Sequence, residues 1–287
     1  MDLLSNPWAG MALVGVLALI IGSHLNVCIV RLPQGQSILT PESSCVRCRT
    51  PIRWYDNIPV LSYLLLRGRC RSCREGISIR YPIVELTTLA ILLYLFGWEF
   101  QRPGGHRDWG IFLGQLLVVS ALIVSTFIDF EHRIIPDEVT MPLILLSPVL
   151  SAIYPRLHVA PWPLDLGTAA VASGTWEAVV SSLAGIAVGG GMVWGLGIAG
   201  SYLFKKEAMG FGDVKLMAMV GGLLGWQVAF LAFWIAPLMG LVYGVIAWLR
   251  TGDRYMPYGP FLSLATLVAM AHRVDIARWL AGLSGAA

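Results

Sequence analysis

Charged residues are scarce in this sequence. They make up 13 % of the 287 residues, whereas 56 % are apolar. The mean hydropathy is +0.71, and a soluble domain carries about 25 % charged residues. The composition therefore excludes an ordinary soluble enzyme, and the many apolar runs favour a helical membrane protein with several spans over a β-barrel. The net charge of +3 does not suggest nucleic acid as a partner.

Two common catalytic motifs are also missing. The sequence contains no Gly-x-Ser-x-Gly nucleophile elbow and no His-Glu-x-x-His metal motif. A glycine-rich run is present around Gly185 and Gly189, but it is too apolar for a phosphate-binding loop and no strand precedes it. Small residues four positions apart predict close helix packing in lipid instead.

The apolar runs predict an all-α polytopic membrane protein with about eight transmembrane helices. They lie near residues 10–30, 82–98, 109–128, 139–154, 177–204, 214–226, 228–249 and 259–280. The first is expected to be retained, because the residues before it lack the basic region of a cleavable signal peptide. The sixth and seventh lie so close together that their division is open.

The positions of the basic residues predict the orientation. Nine of the seventeen arginines fall between Arg31 and Arg80, in the one long polar segment. A segment this rich in arginine beside a span usually stays in the cytoplasm. With residues 31–81 in the cytoplasm, the loops at 129–138, 205–213 and 250–258 are also cytoplasmic, and 15 of the 20 basic residues lie inside.

Four of the five cysteines lie in this polar segment. They form "CVRC" (Cys45 and Cys48) and "CRSC" (Cys70 and Cys73), with 21 residues between the pairs. This spacing is typical of a four-thiolate tetrahedral zinc site. The alternatives are two disulfides, which a cytoplasmic location disfavours, and redox chemistry, which doubled motifs of this kind rarely serve. Cys28, in the first span, is expected to be a packing residue.

A metal would suit so short a segment. About fifty residues cannot build a large hydrophobic core, so a bound metal would stabilise the fold. Since four cysteines fill the coordination shell of zinc, we expect a structural rather than a catalytic ion.

Acidic residues near spans are functional candidates, because only 17 occur in the chain. Asp129 follows an apolar helix, at the end where the helix dipole disfavours negative charge, so no local structural reason explains it. Asp137 opens the next span, where the helix dipole favours a negative charge. A structural role is therefore enough to explain its position. His132, beside Asp129, is a less favoured candidate for a catalytic base.

Asp213 opens another span, directly after the turn "GFG". A helix N-cap is the structural interpretation. The topology places Asp213 and Asp129 on the same side of the membrane, where two aspartates could share one proton as in aspartic proteases. Gly210 and Gly212 would allow a tight bend and the approach of a substrate strand. Lys215 is expected to point toward lipid headgroups.

Four stretches in order resemble the bacterial type IV prepilin peptidases, also called prepilin leader peptidase/N-methyltransferases. They are "GSHLNVCIVRLP", "IRWYDNIPVLSYLLLRGRCRSCREGISIRYPIVEL", "IDFEHRIIPDEVTMP" and "GFGDVKL". The Gly-x-Gly-Asp element is shared with the wider class of intramembrane aspartyl proteases. His24 departs from the family's usual apolar residue, and the loop at 155–176 is longer than usual.

The resemblance implies an intramembrane aspartyl endopeptidase of the bacterial inner membrane, with Asp129 and Asp213 as its catalytic pair on the cytoplasmic side. Its substrates would be type IV prepilins or type II secretion pseudopilins, cut after a glycine. Many members then methylate the new N-terminus with S-adenosylmethionine, an activity associated with the zinc segment; Gly68 is a candidate residue for it. The implied division is a first helix at 1–30, a zinc domain at 31–81 and a peptidase domain at 82–287.

Two other functions remain as alternatives. A transporter could use Asp129 and Asp213 as a proton relay, but it would place carboxylates near the middle of the bilayer rather than at span ends. A zinc-anchored membrane adaptor without catalysis would give no reason for the Gly-Phe-Gly turn or for the position of Asp129.

Overall fold

The computed structural model describes residues 7–40, 43–101, 107–158, 174–205, 209–251 and 258–283. Within these ranges the chain is helical and forms no sheet, only two isolated β-bridges, which confirms the all-α class. The chain divides into two compact units, Met1–Asp108 and Trp109–Ala287. The finer division at residues 30 and 81 stays a prediction.

Two long helices and a small polar segment form the first unit. The helices are α1 (Pro7–Arg31) and α3 (Arg80–Phe96), which a π-helical turn at Gly97–Gln101 extends; the five-residue helix α2 (Leu61–Leu65) lies between them. Gly22 allows α1 and α3 to approach closely, because a Cβ there would lie 2.9 Å from Glu85 Cα. The side-chain amide of Asn26 donates to the carbonyl of Tyr81 at 3.0 Å across the same interface.

The second unit contains six long helices among its described residues. They are α4 (Trp109–His132), α5 (Asp137–Ile153), α6 (Thr175–Phe204), α7 (Phe211–Leu224), α8 (Trp226–Thr251) and α9 (Gly259–Leu283). Helix α7 is the central one, because every residue from Leu216 to Leu224 is buried. A helix that is apolar and buried on all sides belongs in the core of a bundle.

The closest helix contact in this unit joins α6 to α7. A Cβ on Gly185 would lie 2.0 Å from the carbonyl oxygen of Gly221, and one on Gly189 would lie 2.2 Å from that of Met217. Only glycine permits such an approach, so the prediction of close packing at Gly185 and Gly189 is confirmed.

Among the described residues, five helices are long and apolar enough to cross a membrane. They cover Trp8–Gln34, Arg80–Gln101, Trp109–His132, Thr175–Leu203 and Trp226–Gly244. Helices α5 and α7 have only 17 and 14 residues, and a span needs about 20. A membrane protein with several spans is therefore confirmed, whereas the count of eight spans stays a prediction.

The predicted span boundaries agree with the helices to within a few residues. The doubtful division between the sixth and seventh falls at Gly225, which has φ +89° and separates α7 from α8. Most of the loop at 155–176, and parts of the loops at 205–213 and 250–258, lie outside the described residues.

Candidate functional site

Asp129 lies three residues before the end of α4 and is only 7 % exposed. Its Oδ2 accepts a hydrogen bond from the backbone N–H of Gly259 at 3.2 Å. Gly259 is the first residue of α9, and the N-terminus of a helix stabilises negative charge. Helix α4 gives the Asp129 carboxylate no electrostatic stabilisation, as expected from the sequence. The N-terminus of α9 stabilises it instead.

Asp213 is the third residue of α7 and is 8 % exposed. The N-cap position belongs to Gly210, so the interpretation of Asp213 as the N-cap is wrong. The Asp213 N–H donates to the Gly210 carbonyl at 3.1 Å, which closes the first turn of α7. A carboxylate in the first turn of a helix is favoured by the helix dipole.

Ile135 connects the surroundings of the two aspartates. It lies in the short link between α4 and α5. A Cβ on Gly212 would lie 2.9 Å from Cβ of Ile135, and one on Gly259 would lie 3.4 Å from its Cδ1. One side chain thus packs on the neighbour of Asp213 and on the hydrogen-bond partner of Asp129.

The two carboxylates are also close enough for their charges to interact. The structure therefore brings Asp129 and Asp213 into one site, although they are far apart in sequence.

Gly210 and Gly212 do not serve as a flexible bend. Gly210 has φ −73°, and Gly212 lies inside α7, so neither adopts the left-handed backbone that glycine favours. The prediction of a glycine-dependent bend is wrong. Position 212 has no room for a side chain, because Ile135 occupies the space that a Cβ would need. Room for a substrate backbone at these glycines stays a prediction.

Tyr258 and Gly259 belong to this site and were not identified from the sequence. Burial and the negative charge of Asp213 raise the pKa of Tyr258 to about 12, so its hydroxyl keeps its proton beside the carboxylates. In sequence, Gly259 followed by Pro260 indicates only the start of a helix. The contact with Asp129 spans 130 residues, and no local pattern predicts it.

Lys215 forms an ion pair with Asp137, the first residue of α5. Its ammonium also lies 5.4 Å from the centre of the Phe211 ring. The prediction that Lys215 points to lipid headgroups is wrong, since its side chain is only 18 % exposed and is used within the protein. The pair joins the first turns of α5 and α7 beside the link that carries Ile135.

His132 is the last residue of α4, and its side chain is 47 % exposed. Its Nε2 lies 3.9 Å from a carboxylate oxygen of Glu131. An exposed ring that faces an exposed carboxylate at the helix end gives no support to the alternative of a catalytic base.

A second candidate site, in the first unit, is the cysteine cluster. The sulfurs of Cys45, Cys48, Cys70 and Cys73 lie within 4.8 Å of one another. Those of Cys45 and Cys73 are 3.8 Å apart, far beyond a disulfide bond of about 2.0 Å. Four sulfurs around zinc at about 2.3 Å stand about 3.8 Å from one another, so the donor set fits this ion.

The two cysteine pairs have the same backbone geometry. The N–H of Arg49 donates to the carbonyl of Cys45 at 2.9 Å, and that of Arg74 donates to Cys70 at 3.0 Å. Both arginines follow the second cysteine of their pair and have positive φ, 56° and 61°. Each pair is therefore a tight turn that directs two sulfurs to the same point.

Hydrogen bonds favour the thiolate form at Cys48 and Cys70, whereas burial and hydrogen bonds with the other three cysteines raise the pKa of Cys73 to about 11. The Thr50 hydroxyl lies 3.3 Å from the sulfur of Cys48, and hydrogen bonding to Thr50 lowers the pKa of this thiol to about 6. Backbone hydrogen bonds from Cys73 and Ser72 lower the pKa of Cys70. A thiolate rather than a thiol is the metal ligand.

Two polar contacts hold the loop between the cysteine pairs. The Arg71 guanidinium binds Asp56 with two nitrogens at 2.6–3.1 Å, and it holds the pKa of that carboxyl below its usual range. The Val60 N–H donates to the buried carboxylate of Glu85, on α3, at 2.7 Å. Val60 has φ +60°, a strained conformation for a β-branched residue, so Glu85 holds the loop in a shape that it would not adopt alone.

Gly68 lies just beyond α2, with φ +67°. Its N–H donates to the Tyr63 carbonyl at 2.8 Å, and a Cβ at this position would lie 3.0 Å from the tyrosine ring. The turn alone therefore requires glycine. A role of Gly68 in methyl transfer stays a prediction.

Comparison with known families finds two matching family models, one in each compact unit of the chain. Residues 16–100 match the bacterial peptidase A24 N-terminal domain, and residues 116–245 match the type IV leader peptidase family. The chain is 34 % identical to the prepilin leader peptidase/N-methyltransferase of Aeromonas salmonicida over 304 aligned residues. The alignment covers 95 % of this chain and 94 % of the relative. The chain belongs to the type IV leader peptidase family.

Other members of the leader peptidase family are similarly related. The prepilin leader peptidase/N-methyltransferase of Neisseria gonorrhoeae is 33 % identical over 91 % of this chain and 89 % of its own length. The enzyme of the same name from Pseudomonas aeruginosa is 31 % identical over 96 % of this chain and 95 % of its own length. No solved structure matches the chain.

The family matches place the two sites in different parts of the leader peptidase. The cysteine cluster and Glu85 fall in the N-terminal match, whereas Asp129 and Asp213 fall in the peptidase match. Gly259, which contacts Asp129, lies beyond the end of that match at residue 245.

Proposed function

We propose that this protein is a membrane-embedded aspartyl endopeptidase that removes the leader of type IV prepilins or of type II secretion pseudopilins after a glycine, with Asp129 and Asp213 as its catalytic pair. The observation that carries the proposal is the convergence of these two buried carboxylates, whose charges interact, at the ends of α4 and α7. The names of the relatives support the substrate class.

The geometry suits general acid–base hydrolysis. With one proton shared between the carboxyls, the ionised member takes a proton from water, and the protonated member donates a hydrogen bond to the scissile carbonyl. The water oxygen bonds to the carbonyl carbon, and the leaving nitrogen receives a proton as the C–N bond breaks. Gly259 N–H holds Asp129 in place without competing for a proton, because it only donates.

The location of the pair suits a substrate that is itself a membrane helix with a polar leader. Asp129 lies in the last turn of α4 and Asp213 in the first turn of α7. A junction between leader and helix would meet such helix ends at the membrane boundary. A proton relay through the bilayer would instead place its carboxylates along the interior of spans, so the transporter alternative has less support.

We further propose that the first unit holds a structural zinc ion and takes part in N-methylation of the cleaved product with S-adenosylmethionine. Cys45, Cys48, Cys70 and Cys73 would bind the zinc, which would stabilise the segment and perform no chemical step. The N-methyltransferase part of the relatives' names supports methyl transfer. Gly68 is the candidate residue for it.

An inner-membrane location with the cysteine segment and both aspartates on the cytoplasmic side completes the proposal. The accumulation of arginines between Arg31 and Arg80 supports this orientation. Reporter fusions at positions 40 and 105 would test it: a fusion at 40 should be active only with a cytoplasmic reporter, and a fusion at 105 only with a periplasmic one.

The decisive experiment uses the purified full chain in detergent with a synthetic prepilin segment. Product masses with and without S-adenosylmethionine separate leader removal from a further gain of one methyl group. Asp129→Asn and Asp213→Asn should abolish cleavage while the helical content is retained, and Glu131→Gln, an exposed carboxylate in the same turn as Asp129, should leave it intact. Full activity in either asparagine variant would remove that residue from the catalytic pair.

A further inference from the structure

Two buried serines near the aspartates have no hydrogen-bond partner in the described part of the chain. Ser125, in α4, is 1 % exposed, and Ser263, in α9, is 4 % exposed. Their hydroxyl oxygens are inaccessible and, among the described residues, accept or donate no hydrogen bond. Neither serine belongs to the catalytic pair or to the cysteine cluster.

Two other hydroxyls in these helices are satisfied in the ordinary way. Ser120 donates to the Leu116 carbonyl at 2.8 Å in α4, and Thr266 donates to the Leu262 carbonyl at 2.8 Å in α9. A bond to the carbonyl one turn earlier is the usual partner of a helical serine or threonine. Ser125 and Ser263 differ from their neighbours on the same helices in not making it.

The contact between Asp129 and Gly259 fixes where the two serines lie. Helix α4 ends and α9 begins at this contact, and the two helices pack side by side, so they run in opposite directions. Ser125 is four residues before Asp129 and faces the same way, and Ser263 is four residues after Gly259. Both hydroxyls therefore lie about 6 Å deeper in the bundle than Asp129, at the same level.

A buried polar atom without a partner in a native structure commonly marks an ordered water. A site for a water needs two to four polar partners around it. The two hydroxyls supply two, and the Asp129 carboxylate lies one turn away. Ile128 and Leu262, close to the serines on α4 and α9, are fully buried and apolar, and buried Thr266 uses its hydroxyl within its own helix.

We propose that Ser125 and Ser263 bind a water molecule between α4 and α9 and that this site supplies water to the catalytic pair. The proposal rests on the role proposed above for Asp129 and Asp213. Each cleavage consumes one water, whose oxygen stays on the new carboxylate and whose hydrogen goes to the new amine. In a site enclosed by apolar helices, that water must be held close to the carboxylates before attack. The serines are positioning residues, because they act through the water.

The test measures kcat and KM for Ser125→Ala, Ser263→Ala and the double variant on the prepilin segment. Each single change is expected to lower kcat roughly tenfold with KM unchanged, the effect of losing the position of a reacting group. Ser120→Ala is the matched control, since its hydroxyl already has a partner, and it should keep the full kcat. An unchanged kcat in the double variant would overturn the proposal.

A second measurement does not depend on activity. Radiolytic labelling in H2(18)O marks side chains beside bound water, and residues 122–129 and 259–266 should incorporate heavy oxygen in the unsubstituted protein but not in the double variant. Equal labelling in both would also overturn the water site. If Asp129→Asn still cleaves, the catalytic assignment fails; if the aspartates are essential but the serines change neither kcat nor labelling, only the water site fails.

Discussion

The backbone N–H of Gly259 donates a hydrogen bond to the Asp129 carboxylate across 130 residues of sequence. The contact sets the beginning of α9 against the end of α4, so that the positive end of one helix offsets the unfavourable end of the other. It leaves no space for a side chain at position 259, because a Cβ there would lie 2.8 Å from Asp129 Oδ2.

Gly259→Ala should therefore displace the Asp129 carboxylate. We expect kcat to fall about 10- to 100-fold, the cost of moving a reacting group by a fraction of an ångström to one ångström, while the helical content is unchanged. Gly191→Ala, on α6, is the control, since a Cβ at that glycine meets nothing within 4 Å. Similar kcat values for both variants would show that the contact does not position Asp129.

Lys215 and Asp137 should act together. Lys215→Met and Asp137→Asn are each expected to lower kcat several-fold, because the pair fixes the starts of α5 and α7 beside Ile135. The coupling between them, measured by unfolding of the two single variants and the double variant, should be about 0.5 kcal/mol, since the Asp137 side chain is 59 % exposed. Strictly additive effects on stability and kcat would contradict this role.

Glu85 should hold the polar segment of the first unit. Glu85→Ala leaves the Val60 N–H without its acceptor, which costs about 1–3 kcal/mol for a buried group. Limited proteolysis should then cut residues 43–79 faster. The control is Glu75→Gln, whose exposed carboxylate pairs only with exposed Arg47 and should change stability by less than about 1 kcal/mol. Equal protease resistance in the two variants would show that Glu85 does not stabilise the polar segment.

Zinc should depend on the four clustered cysteines and not on Cys28, which is buried in α1. Metal analysis of the purified protein is expected to find one ion per chain, lost in Cys48→Ser and kept in Cys28→Ser. Metal ligation requires the thiolate, so binding should weaken as the pH falls and protons compete for the four sulfurs. Full zinc content in Cys48→Ser would contradict the four-sulfur site.

Chelation supplies the functional half of this test. If the zinc is structural and serves the methylating part, its removal should abolish methyl transfer and leave leader cleavage by Asp129 and Asp213 largely intact. A parallel loss of both activities would show that the peptidase also depends on the metal.

Features that a short stretch of sequence encodes were predicted correctly. Length and apolarity predicted the positions of the long helices, the spacing of cysteines predicted the sulfur cluster, and Gly185 predicted close packing. Asp129 and Asp213 were selected because each is an unusual residue at the end of an apolar run. The structure places both in one site.

Features that depend on contacts between distant segments were missed. Gly259 and Tyr258 show only a helix start in sequence, and their proximity to the aspartates follows from the packing of α9 against α4. Lys215 was misplaced for the same reason, because its partner Asp137 belongs to another helix. A periodic pattern indicates which face of a helix is buried but not which helix covers it.

Helix α7, with its 14 residues, is about 21 Å long, whereas the hydrocarbon layer of a bilayer is about 30 Å thick. Protein surrounds this helix, so its exposed ends need not reach either aqueous surface. Under the role proposed for Asp213, the bond that is cut would lie at the membrane boundary, beside the first turn of α7. The helical part of a substrate would then keep its own depth in the bilayer during cleavage.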